Sequence, residues 1–150
     1  SFTNALKKRI IIVKYKKIKM SFESDYKYGT KNEIKLLPKV KEIYGDKMKM
    51  TSQMCRWDFQ SDNVIIELKS RKCNYNSYPS TMIPKAKIDA ILEDERKAFC
   101  LFDFYDGLYA LEITKDVVST FRISKGGRCD RGKQEYQLYY YIPISKLNRL

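Results

Sequence analysis

The chain has 150 residues and a formal net charge of +12, so it is long enough for one domain with a sizeable core and favours a polyanionic partner such as nucleic acid. It contains no histidine, which excludes serine–histidine–aspartate hydrolysis, histidine-ligated zinc and nucleases that use a histidine base. The cysteines form no Cys-x-x-Cys pair, and no apolar run approaches the ~20 residues of a transmembrane helix. We therefore expect an intracellular protein with reduced thiols, neither secreted nor bound to a membrane.

The first residues, 1–19, are predicted to be a basic N-terminal extension. They carry seven Lys or Arg residues and no acidic residue. This composition fits a strand, a short helix or a basic arm that contacts nucleic acid, and it equally fits a solvated tail. Residues 20–150 are expected to form a single domain.

An amphipathic helix is predicted from Lys31 to Tyr44, because apolar residues recur there at helical spacing. Thr30 and Glu33 match a capping box at its start, and Gly45 suits the position just after its end. Pro38 is expected to kink the helix or to mark a restart.

Strands and a second helix are predicted next. The strands are Lys47–Gln53, Met54–Gln60 and Asn63–Lys69, with a tight turn at Ser61-Asp62. The helix is expected after Tyr78 and Pro79, with Ser80 or Thr81 as its cap and Pro84 in its first turn. A helix start with hydroxyls and with Lys85 and Lys87 nearby suits a phosphate, although an ordinary cap with a solvated basic face fits equally well.

The remaining sequence predicts mainly strands. They are Ala98–Tyr105 and Leu108–Thr114 around a turn at Asp106-Gly107, then Val117–Ile123 and Glu135–Pro143 around a basic, glycine-rich loop, and a short helix from Ser145. This order of elements predicts an α/β or α+β fold with a mixed central sheet.

Three polar residues near the predicted hairpin point to a metal site. If Gln60 pairs with Asn63, Asp58 lies opposite Ile65 and Glu67 is its diagonal neighbour on the same face, with Lys69 two residues further on. Two converging carboxylates suit Mg²⁺ or Mn²⁺, and an ammonium beside them suits a metal-bound hydroxide or a phosphate oxygen.

Asp58 followed by Glu67-Leu68-Lys69 resembles the signature of the PD-(D/E)XK nuclease superfamily. The resemblance implies the restriction-endonuclease-like fold, a mixed central sheet flanked by helices, with the C-terminal strands extending or covering the sheet. The segment from Tyr78 to Ile83 is similar to one in small members encoded by large DNA viruses. Trp57 replaces the proline of the signature. The resemblance spans roughly residues 28–147.

The resemblance implies a Mg²⁺- or Mn²⁺-dependent nuclease that acts on nucleic acid, with DNA favoured over RNA and a homodimer left open. Asp58 and Glu67 would hold the metal, Lys69 would assist the chemistry, and Glu33 would approach the site from the first helix. Candidate nucleic-acid contacts are Arg71, Ser80, Thr81, Lys85 and Lys87. Two alternatives remain. The protein could bind nucleic acid without catalysis and retain the fold, or it could be a structural protein in which Glu67 and Lys69 form an ordinary ion pair at the end of a strand.

Overall fold

The computed structural model describes residues 31–52, 54–126 and 137–150. The chain divides into two compact units, Ser1–Leu36 and Leu37–Leu150. The predicted basic extension, the Thr30 cap and much of the glycine-rich loop lie outside the described residues. In the described ranges, no helix is long and apolar enough to cross a membrane.

Helix α1 occupies residues 31–44, as the apolar spacing predicts. It continues through Pro38, so of the two expectations at this residue the restart is wrong, while the kink stays a prediction. Gly45 has a φ of 115°, and its N–H donates to the Lys41 carbonyl at 3.0 Å. This left-handed residue ends the helix, as expected for a glycine in this position.

The larger sheet carries the predicted hairpin and has six strands in the order β1-β2-β3-β5-β6-β9. Their bounds are β1 Lys49–Met50, β2 Phe59–Gln60, β3 Val64–Ser70, β5 Lys97–Phe104, β6 Gly107–Glu112 and β9 Asn148–Arg149. Strands β3 and β5 pair in parallel over seven residues, whereas the other pairs are antiparallel. The sheet is therefore mixed, and β3 lies inside it, which confirms the predicted fold class.

A second sheet contains a strand that the sequence led us to expect as a helix cap. Its order is β4-β8-β7, with β4 Ser80–Pro84, β7 Arg122–Gly126 and β8 Gln137–Pro143. Buried positions alternate along β4, and Thr81 and Ile83 point inwards. Helix α2, Lys85–Glu93, starts only after Pro84 and has no side-chain cap. The predicted cap at Ser80 or Thr81 is therefore wrong, because pairing with β8 extends this segment.

The C-terminal half also differs from expectation in three places. Residues Lys115–Val118 form a short helix, α3, capped by the Thr114 side chain, so the predicted strand from Val117 is wrong at its start. The turn after β5 is Tyr105-Asp106, since Phe104 pairs with Gly107. A 3₁₀ turn, Ile144–Lys146, and β9 replace the predicted terminal helix.

The core fills the space between the two sheets and α2. Ile83, Ile88, Phe102 and Ile142 are completely buried there. Strand β3 is covered on both faces in its first half, because the neighbours Ile65 and Ile66 are both buried. A central strand of this kind holds the residues at its far end in a fixed position.

Candidate active site

The register of the β2–β3 hairpin sets the position of the two carboxylates. Phe59 pairs with Ile66, and the Asp58 N–H donates to the Ile66 carbonyl at 3.0 Å. Asp58 therefore lies just before the paired residues of β2, beside Ile66 and Glu67 rather than opposite Ile65. The two carboxylates are close, since the charge of Asp58 contributes to the raised pKa of Glu67, and their shared face of the hairpin stays a prediction.

The turn explains this difference in register. The Ser61 N–H donates to the Val64 carbonyl at 2.9 Å, so Asp62 and Asn63 form the turn in place of the predicted Ser61-Asp62. The Ser61 hydroxyl accepts hydrogen bonds from the N–H groups of Asn63 and Val64. These two hydrogen bonds stabilise a turn that lies one residue later in the sequence than the predicted turn.

Asp58 is held by the backbone of β3. Its Oδ2 accepts a hydrogen bond from the Leu68 N–H at 2.7 Å. Strand β2 is only two residues long, so the carboxylate replaces the backbone acceptor that a longer β2 would supply to Leu68. The interaction fixes one carboxylate oxygen beside the outer half of β3.

Glu67 is a buried acid with a perturbed pKa. Its side chain is only 6% exposed, and burial, with the nearby charge of Asp58 as the second cause, raises its pKa to about 7. The ammonium groups of Lys69 and Lys87 act in the opposite direction, at 3.3 Å from Oε1 and 3.7 Å from Oε2. Oε2 is nevertheless buried without a hydrogen-bond donor among the described residues.

Lys87 has a different environment from the one predicted. It lies on α2, its ammonium donates to the Arg56 carbonyl at 2.7 Å, and it lies 5.7 Å from the centre of the Trp57 ring. It therefore faces Glu67, which sequence reasoning missed because the approach of α2 to β3 is a tertiary contact. The one sequence signal for this contact was the position of Lys87 in a predicted amphipathic helix.

Lys85 also departs from the expected phosphate site at a hydroxyl-capped helix start. Its ammonium pairs with Asp89 one helical turn away and lies 5.6 Å from the centre of the Tyr140 ring. Because Ser80 and Thr81 belong to β4, the four residues do not form a helix-cap site for phosphate. Nucleic-acid contact by each of them singly remains a prediction.

Arg71 is a largely buried cation just beyond β3. Its Nε donates to the Thr81 hydroxyl at 3.1 Å, and its Nη2 donates to the Met82 carbonyl. Its guanidinium carbon lies 5.9 Å from the centre of the Phe102 ring. Burial lowers the pKa of the guanidinium, which still stays charged.

A cavity of about 420 Å³ adjoins Arg71. Aromatic rings form much of its wall, together with Ser80, Thr81 and Met82 of β4. The rings are those of Tyr75, Tyr78, Phe104 and Tyr141. The cavity brings together Arg71, Ser80 and Thr81, three of the five residues predicted to contact nucleic acid.

Glu33 belongs to α1 and to the first compact unit. Its predicted approach to the metal site stays a prediction. In the described ranges, no three side chains of His, Cys, Asp or Glu meet as a ready metal site. Asp58 and Glu67 would supply two carboxylates. Mg²⁺ is often bound by one or two protein carboxylates, with waters and substrate phosphates as its remaining ligands.

No curated protein and no solved structure matches the chain in the comparisons made. Residues 45–150 match the model of a family described as "Phage putative PDDEXK endonuclease". The match includes Asp58, Glu67 and Lys69, covers well over half of the chain and agrees with the mixed sheet. The chain therefore belongs to this PD-(D/E)XK endonuclease family.

Proposed function

We propose that this protein is a metal-dependent nuclease that hydrolyses phosphodiester bonds, with DNA favoured over RNA as substrate. One observation carries the proposal: the Glu67 carboxylate is buried within reach of the charge of Asp58 and keeps an oxygen without a hydrogen-bond donor among the described residues. A buried acceptor of this kind is costly unless a partner binds it. An intracellular location and a homodimer remain predictions.

The donor set fits Mg²⁺ or Mn²⁺. Both carboxylates supply hard oxygen ligands, and the raised pKa of Glu67 means that a nearby cation would favour its ionised form. Asp58 would contribute its second oxygen, since Oδ2 already accepts from Leu68. When bound, the metal lowers the pKa of a water ligand and stabilises charge on the phosphate.

Lys69 is the residue best placed to assist the reaction. Its side chain is 30% exposed, so the ammonium contacts Glu67 and can also reach a substrate. It would orient the attacking water and offset the charge that develops on the phosphate oxygens. Lys87 would restrain the Glu67 carboxylate from the opposite side, as its contact with Oε2 indicates.

A non-catalytic nucleic-acid-binding protein is the second candidate. The observation in its favour is the pair of ammonium groups that already face Glu67, because two cations partly neutralise a carboxylate without any metal. The net charge of +12 fits either candidate.

The deciding experiment compares Glu67→Ala with Lys69→Ala on plasmid DNA, single-stranded DNA and RNA, with Mg²⁺ or Mn²⁺. Glu67→Ala should lose both Mn²⁺ binding and cleavage, because a ligand is removed. Lys69→Ala should keep Mn²⁺ binding but slow single-turnover cleavage by about 10²–10³, the usual effect of losing one preorganised charge partner.

Lys97→Ala is the matched control, since Lys97 lies at the opposite end of the same sheet and its side chain is 59% exposed. It should cleave like the wild type. If the wild type binds nucleic acid but cuts none of the substrates with either metal, the binding-protein function replaces the nuclease.

A further inference from the structure

We propose that the cavity beside Arg71 binds an unpaired nucleobase of the strand whose phosphate lies at Asp58 and Glu67. The inference rests on the proposed function for the position of the phosphate. The occupant is a single base that has left its stack, since a ring within a duplex cannot enter a lined cavity.

The first reason is the position of the cavity along β3. Side chains at every second residue share a face, so Glu67, Lys69 and Arg71 follow one another on the same side. The Arg71 N–H donates to the Asp103 carbonyl at 2.9 Å and so continues the pairing with β5. At about 3.3 Å per residue, Arg71 lies about 13 Å from Glu67. About four stacked nucleotides of one strand, or fewer extended ones, cover that distance.

The second reason is the aromatic wall. The ring of Tyr75 stacks on Tyr109 at 4.1 Å, meets Phe104 edge-on, and has its hydroxyl bonded to the Ile144 carbonyl at 2.9 Å. These contacts fix the wall in place. Tyr78 also lines the cavity but is 66% exposed, so its ring is available to stack on a base.

The third reason is the unused edge of Arg71. Thr81 and Met82 take the Nε and Nη2 donors on one side of the guanidinium and so hold its plane. Within the described part of the chain, Arg71 makes no ion pair with a carboxylate, and the edge formed by Nη1 and the second N–H of Nη2 meets no hydrogen-bond acceptor. This edge suits a base with two adjacent acceptors, such as O6 and N7 of guanine, whereas adenine presents a donor beside N7.

The size of the cavity agrees with this occupant. Its 420 Å³ lies within the usual range of about 300–1,000 Å³ for small-molecule sites. The space therefore admits one base together with part of its sugar, which would leave the phosphates outside.

The test measures binding of the full chain to a fluorescent single-stranded oligonucleotide by anisotropy, in EDTA so that no cleavage occurs. The probes are a thymine tract with one central guanine, the same tract with adenine there, and the same tract with an abasic residue there. All three carry the same charge, so differences in affinity report the base alone. We expect the order guanine, adenine, abasic, and equal affinity for the three would overturn the proposal.

Tyr78→Ala should weaken binding of the guanine probe by about 5–150-fold, as expected for the loss of one stacking ring. Tyr78→Phe should retain the affinity. Tyr105→Ala is the matched control, because Tyr105 is 70% exposed but does not line the cavity, and it should bind as the wild type does. An equal loss in both alanine variants would refute the stacking role of Tyr78.

This measurement separates the two proposals because it needs no metal and no catalysis. If binding depends on the central base and on Tyr78 but no substrate is cut, the cavity assignment stands and the nuclease assignment fails. If DNA is cut while the base and Tyr78 have no effect on binding, the cavity assignment fails alone.

Discussion

Replacing Glu67 by glutamine should stabilise the metal-free protein at high pH. The pKa of Glu67 is raised from 4.5 to about 7, chiefly by burial. Between pH 4.5 and pH 7, the folded chain therefore keeps the Glu67 proton that the unfolded chain has already lost. This contribution to stability is fully present below pH 4.5 and is lost as the pH rises through 7.

The size of the effect follows from the shift. Each pKa unit corresponds to about 1.4 kcal/mol, so the ionised carboxylate costs up to about 3 kcal/mol above pH 8 and only about 1 kcal/mol at pH 5. Glutamine has nearly the same shape and does not ionise. We therefore expect Glu67→Gln to exceed the wild type in free energy of unfolding by up to about 3 kcal/mol at pH 8, and by clearly less at pH 5.

Urea unfolding followed by circular dichroism, in EDTA at pH 5 and pH 8, measures this difference. Glu112→Gln is the control, because the Glu112 side chain is 44% exposed on β6. Its change should stay within about 0.5 kcal/mol at both pH values. If the difference in free energy of unfolding between Glu67→Gln and the wild type does not grow with pH, the assignment of Glu67 as a buried acid with a raised pKa is refuted.

Two further outcomes are expected. Asp58→Asn should keep the acceptor for the Leu68 N–H and lose mainly metal affinity, whereas Asp58→Ala should also lower the free energy of unfolding by about 1–3 kcal/mol. Isothermal titration with Mn²⁺ measures the metal affinity, and urea unfolding measures the stability. Equal stability of the two variants would contradict the structural role of the Asp58 carboxylate. Binding to duplex DNA should weaken with salt, with a slope of log K on log salt of about −4.5 if five phosphates are neutralised. Deleting residues 1–19 should flatten this slope, and an unchanged slope would show that these residues do not contact the backbone.

The closeness of the two carboxylates was predictable from the sequence. Asp58 and Glu67 stand on either side of a tight turn, so they come together although the turn is Asp62-Asn63 and not the predicted Ser61-Asp62. The long apolar segment that forms β5 was likewise predictable to within one residue. A tight turn and a continuous apolar strand can be predicted from the sequence because they depend on residues that are close together in it.

Other features depended on contacts that the sequence does not display. Hydroxyls followed by a proline are typical of a helix start, yet β8 pairs with Ser80–Pro84 and makes it a strand. The approach of Lys87 to Glu67 requires α2 to pack beside β3. The cap at Thr114 was also missed: Thr114 was predicted to end a strand, whereas its side chain accepts a hydrogen bond from the Val117 N–H and starts α3.

The parallel pairing of β3 with β5 has a consequence for folding. Val64 and Lys97 are partners although they are 33 positions apart, and the chain between them supplies β4 and α2. A hairpin such as β2–β3 forms in about 1–10 μs, whereas pairing over long sequence separations is slow. Asp58 and Glu67 would therefore meet early, in a hairpin still open to water. Glu67 acquires its buried, proton-retaining environment only when β5 and α2 arrive, so the site becomes complete in the slow step.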